Sequence, residues 1–359
     1  MASLDVEFTK SLSNISKSKV DILMLNTFVS RFPTGKEDGY CLSIDFHGNE
    51  VDLSLYKFTP DSRYQRIDSS HFYLPNSLRI GHFSEIIEYF AEVVKNFVTI
   101  RGFADQLIYA CLCIAFPTIN TSLSSGEIIH ISKGFDIRDY AGIDVVKTLQ
   151  KQFDKRALNV ECVALINDTV STLQACIADG EDCCVSFILN DGVNAVYEEK
   201  VTNIHRDDIF EKGAKTVLIN TEVAGFGESG ALNRFLTIFD RRFDPISEMP
   251  GRLRYEKLVG GLYQAEIVRQ ILYELTNLGQ IFGGIWPEKL QDYKSLHPSF
   301  LCIIERDPPY LFYTTEFLLK EHYDIENLKA EDVYIVRYVC KAVVYRAACL
   351  TASGRYLLI

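Results

Sequence analysis

The segment that ends in Asn167, Asp168 and Thr169 is the first candidate for chemistry. It follows an apolar run from Val160 that has the pattern of a buried β-strand. In open α/β sheets, ligands bind beyond the carboxyl ends of the strands, and a carboxylate placed there can accept the proton of a hydroxyl nucleophile. The residues alone support a second interpretation equally, in which Asp168 caps the helix that follows.

Two tight turns can also contact a ligand. Residues 45–49 (DFHGN) and residues 190–194 (NDGVN) each join two segments with the pattern of β-strands. A turn that contains glycine can present backbone N–H groups to a phosphate. Taken alone, both sequences are more typical of ordinary hairpin turns.

Single polar groups elsewhere are weaker candidates. Ser132 and Lys133 combine a hydroxyl with a cation, and together these can hold sugar hydroxyls or phosphate oxygens. Glu222 lies close to the sequence GFG, and Glu256 lies at the start of a predicted helix. In isolation, a solvated lysine or carboxylate is the more common interpretation of each.

The elements that must position these residues follow from periodicity. Helical spacing of apolar residues predicts helices over residues 1–30, 83–100, 171–178, 255–278 and 332–352. Alternating or fully apolar runs predict a hairpin over 40–59, strands over 107–116 and 160–170, and two more strands within 183–199. Two strand-turn-strand units, each followed by helices, predict a duplicated α/β architecture with a cleft between its halves and a boundary near Asp168.

Composition limits the classes of protein to consider. The chain has 359 residues, 47% of them hydrophobic and 24% charged, which is enough for two ordinary domains. Its net charge of −11 disfavours nucleic-acid binding, so any phosphate must be held by local positive groups. Residues 1–20 lack a signal-peptide pattern and no apolar run reaches the roughly 18 residues of a membrane span, so we expect a cytoplasmic protein.

The 10 cysteines include no CxxC pair. Most of them lie in apolar runs, which predicts buried free thiols in a reducing compartment. We therefore expect neither a disulfide framework nor a metal site.

Six segments in order resemble the eukaryotic hexokinase family between about residues 20 and 354. These segments are residues 23–49, 114–146, 164–176, 219–232, 254–272 and 339–354. They are similar to the family's entry into its first phosphate loop, its small-domain sugar segment, its catalytic-aspartate strand, two large-domain sugar segments and a late helix. The shared order is far more specific than any one segment. The chain is identified as a divergent, C-terminally shortened member of that family.

The resemblance implies an α/β fold with two ribonuclease-H-like lobes and an interlobe cleft, in which the large lobe is incomplete. It implies an N-terminal helix packed on the large lobe (1–39), a small domain (40–168) and a shortened large domain (169–359). The implied chemistry is transfer of the γ-phosphoryl group of Mg-ATP to the 6-hydroxyl of a hexose such as glucose, the first step of glycolysis.

Matching residue by residue, the resemblance makes Asp168 the base that takes the hydroxyl proton. The residues that match sugar-holding groups are Ser132, Lys133, Asn167, Asn194, Glu222 and Glu256. The residues that match the two phosphate loops are Asp45, His47, Gly48 and Asn49 in the first loop and Asp191 and Gly192 in the second.

Departures from the family pattern concentrate on the phosphate side. In the first loop a glycine is replaced by His47 and an arginine by Asp52, and in the second loop a hydroxyl is replaced by the carboxylate of Asp191. These carboxylates oppose the charge stabilisation that phosphoryl transfer needs. On the sugar side, Ala115 stands where the family has a serine, so one sugar contact is missing. The Gly-rich adenosine segment that follows the late helix in the family is also absent.

Three hypotheses follow. The first is a working hexokinase, and the second is a catalytically impaired hexose sensor or regulatory protein. The third is a shortened piece of a longer gene. We expect hexose binding with turnover reduced or absent, doubtful Mg-ATP binding, and neither a nucleic-acid partner nor a membrane span. The sequence leaves the preferred hexose and the oligomeric state open.

Overall fold

The computed structural model describes residues 2–13, 20–60, 64–132, 134–308 and 310–355. Its helices are α1 (Ala2–Ser11), α2 (Phe83–Ile100), α3 (Val145–Lys155), α4 (Asp168–Ala178), α5 (Ile238–Phe243), α6 (Arg254–Val259), α7 (Gly261–Asn277), α8 (Pro298–Glu305), α9 (Tyr313–Phe317) and α10 (Ala330–Arg355). Its strands are β1 (Leu25–Asn26), β2 (Gly39–His47), β3 (Glu50–Phe58), β4 (Gln65–Tyr73), β5 (Ile80–His82), β6 (Ile108–Ile114), β7 (Thr118–Ser122), β8 (Ser125–Ile128), β9 (Asp136–Arg138), β10 (Val160–Asn167), β11 (Val185–Leu189), β12 (Val193–Lys200) and β13 (Thr216–Asn220).

A five-stranded sheet in the order β10-β6-β2-β3-β4 forms the small lobe. The hairpin predicted over 40–59 is confirmed as β2 and β3, which pair antiparallel with His47 opposite Glu50. The apolar run predicted as a buried strand is β6, which pairs parallel with both β2 and β10. Parallel pairing aligns the carboxyl ends of these three strands, so Phe46, Ile114 and Asn167 lie at one edge.

The small lobe has its own hydrophobic core. Helix α2 confirms the helix predicted over 83–100, and it buries Phe83, Phe90 and Phe97 against the sheet because apolar residues recur along one of its faces. Helix α3 begins at the N-cap Asp144, whose carboxylate accepts a hydrogen bond from the Lys147 N–H.

A second, antiparallel sheet in the order β1-β13-β12-β11 forms the large lobe. Strands β11, β12 and β13 pair antiparallel in chain order, as β2, β3 and β4 do in the small lobe. This repeat confirms the predicted duplication. Helix α4 leads out of β10 and buries Val170 and Leu173 against Val196 and Leu218 of this sheet. A further core lies among α7, α8 and α10. The helix predicted over 255–278 is interrupted at Gly260, which has extended backbone angles.

The helix predicted over residues 1–30 is wrong beyond Ser11. Residues 14–19 lie outside the described part, and from residue 20 the chain is extended, with Leu25 and Asn26 paired to β13. Of the apolar residues that suggested a helix here, Met24 is fully inaccessible, as is the neighbouring Ile22, while Val20 and Leu23 are half-buried. Non-local pairing with a sheet edge therefore outweighs the local helical period. Helix α1 packs on the large-lobe core through Leu4 and Phe8, and Leu12 just after its end joins the same core.

The prediction of free thiols is wrong for one pair of cysteines. Cys176 near the end of α4 and Cys183 just before β11 form a disulfide across a separation of 7 residues. Their Cα atoms are 6.5 Å apart, within the range that a bridge needs. The other eight cysteines are free. Within the described residues, none of the helices is long and apolar enough to cross a membrane.

Candidate active site

One cavity lies where the carboxyl end of β10 meets the turn between β11 and β12. The described residues that line it come from both lobes and are Ala115, Phe116, Pro117, His130, Ser132, Asn167, Asp168, Ile188, Asn190, Gly192, Val193, Asn194, Glu222, Ala224, Leu253 and Glu256. Its volume is about 50 Å³. Ligand pockets commonly measure about 300–1,000 Å³, so a ring-sized ligand can enter only if the walls move apart.

Asp168 occupies the first position of α4, immediately after the end of β10. The helix is capped by Asn167, whose Oδ1 accepts hydrogen bonds from the Thr169 N–H at 3.1 Å and from the Thr169 hydroxyl at 2.7 Å. Asp168 Oδ1 accepts from the same N–H at 2.8 Å, and its side chain is half-buried. The capping role that the sequence left open for Asp168 therefore belongs to Asn167, and the Asp168 carboxylate lies in the cavity wall.

Asn194 is the centre of a network that joins the two lobes. Its Nδ2 group donates to Asn220 Oδ1 at 2.8 Å, to Asn167 Oδ1 at 3.2 Å and to Glu222 Oε1 at 3.3 Å. Asn194 Oδ1 accepts from the Glu222 N–H at 3.1 Å. Glu222 has a left-handed backbone with φ of 52°, which is a strained conformation for this residue type and is held here by these bonds.

The Glu222 segment is supported from behind by the extended N-terminal chain. The Met24 N–H donates to the Thr221 carbonyl at 3.1 Å, and the buried Asp21 carboxylate accepts from the N–H groups of Gly227 and Ser229 at 3.0 Å. The N-terminal chain, which pairs with β13 where a helix was predicted, therefore also positions the Glu222 side of the cavity.

Glu256 is 6% exposed and uses both carboxylate oxygens. Oε2 accepts from the Val193 N–H at 3.0 Å and Oε1 accepts from the Tyr263 hydroxyl at 3.0 Å. Burial, together with the charge of Glu256 and its hydrogen bond, raises the pKa of Tyr263 well above its ordinary value. Tyr263 thus remains a hydrogen-bond donor that fixes the Glu256 carboxylate.

The 190–192 turn packs directly on the N-terminus of α7. The Asn190 carbonyl accepts from the Gly261 N–H at 2.7 Å, and a Cβ atom at Gly260 would lie 2.7 Å from the Asp191 carbonyl. A Cβ atom at Gly192 would overlap the Glu256 carboxylate. These glycines are therefore needed for close approach of the two loops.

The structure brings most of the predicted sugar residues together. Asn167, Asn194, Glu222 and Glu256 share the cavity with Asp168. Ser132 also lines it, whereas Lys133 lies outside the described residues. The sequence reasoning missed His130 and Tyr263, and Tyr263 acquires its role only through the contact of its hydroxyl with Glu256. The Gly260-Gly261 pair inside a helical pattern was the available signal for a close approach.

The tip of the β2–β3 hairpin and the neighbouring strand β4 together carry a cluster of two histidines and two carboxylates. Asp52 accepts from His47 Nε2 at 3.0 Å and from His71 Nδ1 at 2.6 Å, and Glu50 oxygens lie 3.8 Å from the other ring nitrogen of each histidine. Gly48 forms the turn itself, with φ of 56°. Asp52, expected as a purely repulsive charge, is therefore paired on both sides.

This pairing shifts the titration of both partners. Burial alone would lower the pKa of His47, but the hydrogen bond to Asp52 and the charges of Asp45, Asp52 and Glu50 raise the pKa above its ordinary value. Burial alone would raise the pKa of Asp52, but the hydrogen bonds and charges of His47 and His71 lower it.

Asp45 is the candidate ligand for a hard cation. Its Oδ1 is buried and has no hydrogen-bond partner within the described structure. Burial raises the pKa of Asp45, the Cys113 thiol opposes this by donating a hydrogen bond, and the charge of Asp168 adds to the rise. An unpaired carboxylate oxygen suits Mg²⁺, although no group of three or more His, Cys, Asp or Glu among the described residues is arranged to hold a metal ion.

The groups around the two loops that were predicted to contact phosphate do not fit a triphosphate. The hairpin tip offers Asp52 and Glu50 with their histidines, the second loop offers the exposed Asp191, and the described residues of the cavity wall include no lysine or arginine. Phosphates need preorganised N–H donors and cations, and these groups are mostly acceptors.

Two lobes that repeat one antiparallel unit, with a carboxylate and a set of amides between them, define a protein of the two-lobed actin/hexokinase fold class. Sequence models described as hexokinase match residues 1–178 and 184–359. The chain belongs to the hexokinase family.

Individual relatives support the same assignment. A hexokinase from Schistosoma mansoni is 34% identical over 345 residues, covering 96% of this chain and 76% of the relative. Hexokinase HKDC1 of Homo sapiens is 32% identical over 98% of this chain, which spans 38% of that relative. A solved hexokinase from Schistosoma mansoni complexed with glucose superposes with a TM-score of 0.93 at 32% identity, covering 99% of this chain and 79% of that one.

Proposed function

We propose that the chain binds a hexose such as glucose in this cavity. The reaction that we assign to it is ATP-dependent phosphorylation of the hexose 6-hydroxyl, the first step of glycolysis. We expect the turnover of this reaction to be reduced or absent. The observation that carries the proposal is the convergence of Asp168, Asn167, Asn194, Glu222 and Glu256 on one interlobe cavity. The proposal also keeps the division into residues 1–39, a small domain of 40–168 and a large domain of 169–359.

The chemistry of the wall suits a polyhydroxylated ring. Carboxylates accept hydrogen bonds and amides both donate and accept, so each ring hydroxyl can find a partner of either kind. Because these groups already bond one another without a ligand, the sugar must exchange those bonds rather than fill an unpaired site. Such a site rejects analogues that lack a hydroxyl, since its buried polar groups would then lose partners.

Asp168 is proposed as the base. A carboxylate oxygen in the cavity wall can take the proton of the 6-hydroxyl as that oxygen becomes a nucleophile. Turnover would also require a phosphoryl donor such as Mg-ATP, which the carboxylates of the phosphate side do not favour. The narrow cavity fits a protein whose lobes separate to admit sugar and close over it, which excludes water from the reacting groups.

A second candidate function is a hexose sensor, and the hairpin cluster favours it. The sugar side of the cleft retains its amides and carboxylates, whereas Asp52 and Asp191 occupy the phosphate side. In that case the lobes would close when hexose binds, without turnover. A partner that recognises the closed form would then respond to the sugar concentration.

Calorimetry and a coupled assay distinguish these functions. We expect glucose to bind the unaltered chain, and Asp168→Asn to abolish whatever glucose 6-phosphate formation is detected. The matched control is Asp179→Asn at the other end of α4, an exposed carboxylate that bonds only the Tyr64 hydroxyl within the described structure. Glucose binding with no ATP binding establishes the sensor. Absence of glucose binding contradicts the entire proposal.

A further inference from the structure

We infer that His130 contacts a hydroxyl of the bound sugar and supplies the polar contact that Ala115 cannot make, so that it helps to determine which ring the site accepts. This inference rests on the proposed function and adds a residue to it. His130 lies within the segment 114–146 that resembles the small-domain sugar segment, but it is not among the candidate residues of the sequence.

The wall on the small-lobe side lacks polar side chains at three consecutive positions. Ala115, Phe116 and Pro117 all line the cavity, and none of their side chains can donate or accept a hydrogen bond. Phe116 also packs edge-on against Phe46 and Phe135, with ring centroids 5.9 and 5.7 Å apart. This part of the wall is therefore rigid and apolar.

His130 reaches the cavity from the ribbon formed by β7 and β8. The two strands pair antiparallel between Thr118 and Ile128, and the next backbone bond joins the Ile129 N–H to the Pro117 carbonyl at 2.8 Å. That bond closes the open end of the ribbon at the cavity. His130 follows this bond directly and lines the same cavity as Ala115.

The imidazole has the chemistry that a sugar hydroxyl needs. In its neutral form one ring nitrogen donates and the other accepts, so it can bond a hydroxyl in either role. A serine hydroxyl at position 115 could likewise donate or accept a hydrogen bond. Among the described residues that line the cavity, His130 is also the only imidazole.

The test is a double-mutant cycle read by glucose affinity. We expect His130→Ala to weaken glucose binding about 10-fold, the loss typical of one neutral hydrogen bond to a ligand. Ala115→Ser restores the alternative hydroxyl, and His130→Ala introduced into that variant should then cost less than about 3-fold. Equal losses in the two backgrounds would show that the residues do not substitute for each other.

Deoxy sugars identify the contacted hydroxyl. With the 1-, 2-, 3- and 4-deoxy analogues of glucose, we expect one analogue to bind the unaltered chain and the His130→Ala variant equally, because the partner hydroxyl is gone. If His130→Ala weakens all four analogues as much as glucose, the side chain does not contact a ring hydroxyl at these positions and the inference is overturned.

Two control variants distinguish the loss of a sugar contact from the loss of the fold. His82→Ala removes a histidine that is 60% exposed and pairs with Asp139, and it should leave glucose affinity unchanged. His130→Asn retains a donor and an acceptor and should lose less than His130→Ala, which keeps the test valid if the alanine variant unfolds. If the unaltered chain does not bind glucose, the proposed function itself has failed. If it binds glucose and His130→Ala has no effect, only this inference has failed.

Discussion

Asn194 of the large-lobe sheet donates a hydrogen bond to Asn167 at the end of a small-lobe strand, with Nδ2 and Oδ1 3.2 Å apart. The same Nδ2 group contacts Asn220 and Glu222. One amide therefore links the residue that caps α4, and thereby orients Asp168, to the carboxylate on the opposite wall.

Replacing Asn194 with Ala should weaken both the fold and the site. The buried Asn220 Oδ1 would lose its donor, whereas the Asn167 and Glu222 oxygens would each keep another one, and an unsatisfied buried acceptor costs about 1–3 kcal/mol. We expect unfolding free energy, measured in urea, to fall by about that amount, and glucose affinity to fall more than 10-fold. Asn203→Ala, at an exposed asparagine of the same lobe, is the control and should change neither. Unchanged glucose affinity in Asn194→Ala would exclude Asn194 from the sugar site.

Gly192→Ala tests the close approach of the turn to Glu256. Gly192 has no left-handed backbone, so the new methyl group acts only by overlapping the Glu256 carboxylate. Overpacking of this kind costs about 1–3 kcal/mol. We expect a lower melting temperature in Gly192→Ala. Glu256→Asp should lower the melting temperature less in that chain than in the unaltered chain, because the shorter side chain withdraws from the new methyl group. Equal losses in the two chains would show that the overlap is not with that carboxylate.

The His47–Asp52 pair should make stability depend on pH. The pKa of His47 is raised in the folded chain, so its contribution is complete below about pH 6.5 and is lost as pH rises through the folded value. The pKa of Asp52 is lowered, so its contribution is present above about pH 4 and is lost as pH falls through the folded value. The pair therefore stabilises most between about pH 4 and pH 6.5.

The expected size of this effect is small because both side chains are about 40% exposed and solvent screens them. We expect His47→Gln to reduce unfolding free energy by less than about 1 kcal/mol at pH 5.5 and by still less at pH 8.5. In the Asp52→Asn background the difference between the two pH values should largely vanish. A larger loss at pH 8.5 than at pH 5.5 would reverse the sign and refute the assignment.

Asp45→Asn should stabilise the protein without ligands. The buried Oδ1 has no described partner, and burial together with nearby carboxylates raises the pKa, so the ionised form is unfavourable in the fold. Removing the charge should increase unfolding free energy at pH 7 by about 1 kcal/mol. The gain should shrink as pH falls toward about 4, because protonation of Asp45 then removes the same charge. Denaturant unfolding at both pH values measures the change in unfolding free energy. If Asp45→Asn is less stable than the unaltered chain, the carboxylate is favourably paired and the prediction is wrong.

The sequence by itself determined the positions of those helices and strands that show a clear local pattern of apolar residues. The β2–β3 hairpin, the buried strand β6 and the helix α2 follow from alternation or from helical spacing, because one face of each is apolar throughout. The ordered segments around Asp168 likewise identified the family without any contact being known.

Tertiary structure alone decided the remainder. Residues 20–26 have a helical period, yet Leu25 and Asn26 pair with β13 and the Met24 N–H bonds the Thr221 carbonyl, because a sheet edge satisfies this backbone and buries Met24. The cap on α4, the bond from Asn194 to Asn167 and the pairing of Asp52 with His71 each join residues whose chemistry was visible but whose distance was not. A hydrogen bond depends on positions in space to within a few tenths of an ångström, and a sequence specifies such positions only once the whole chain has packed.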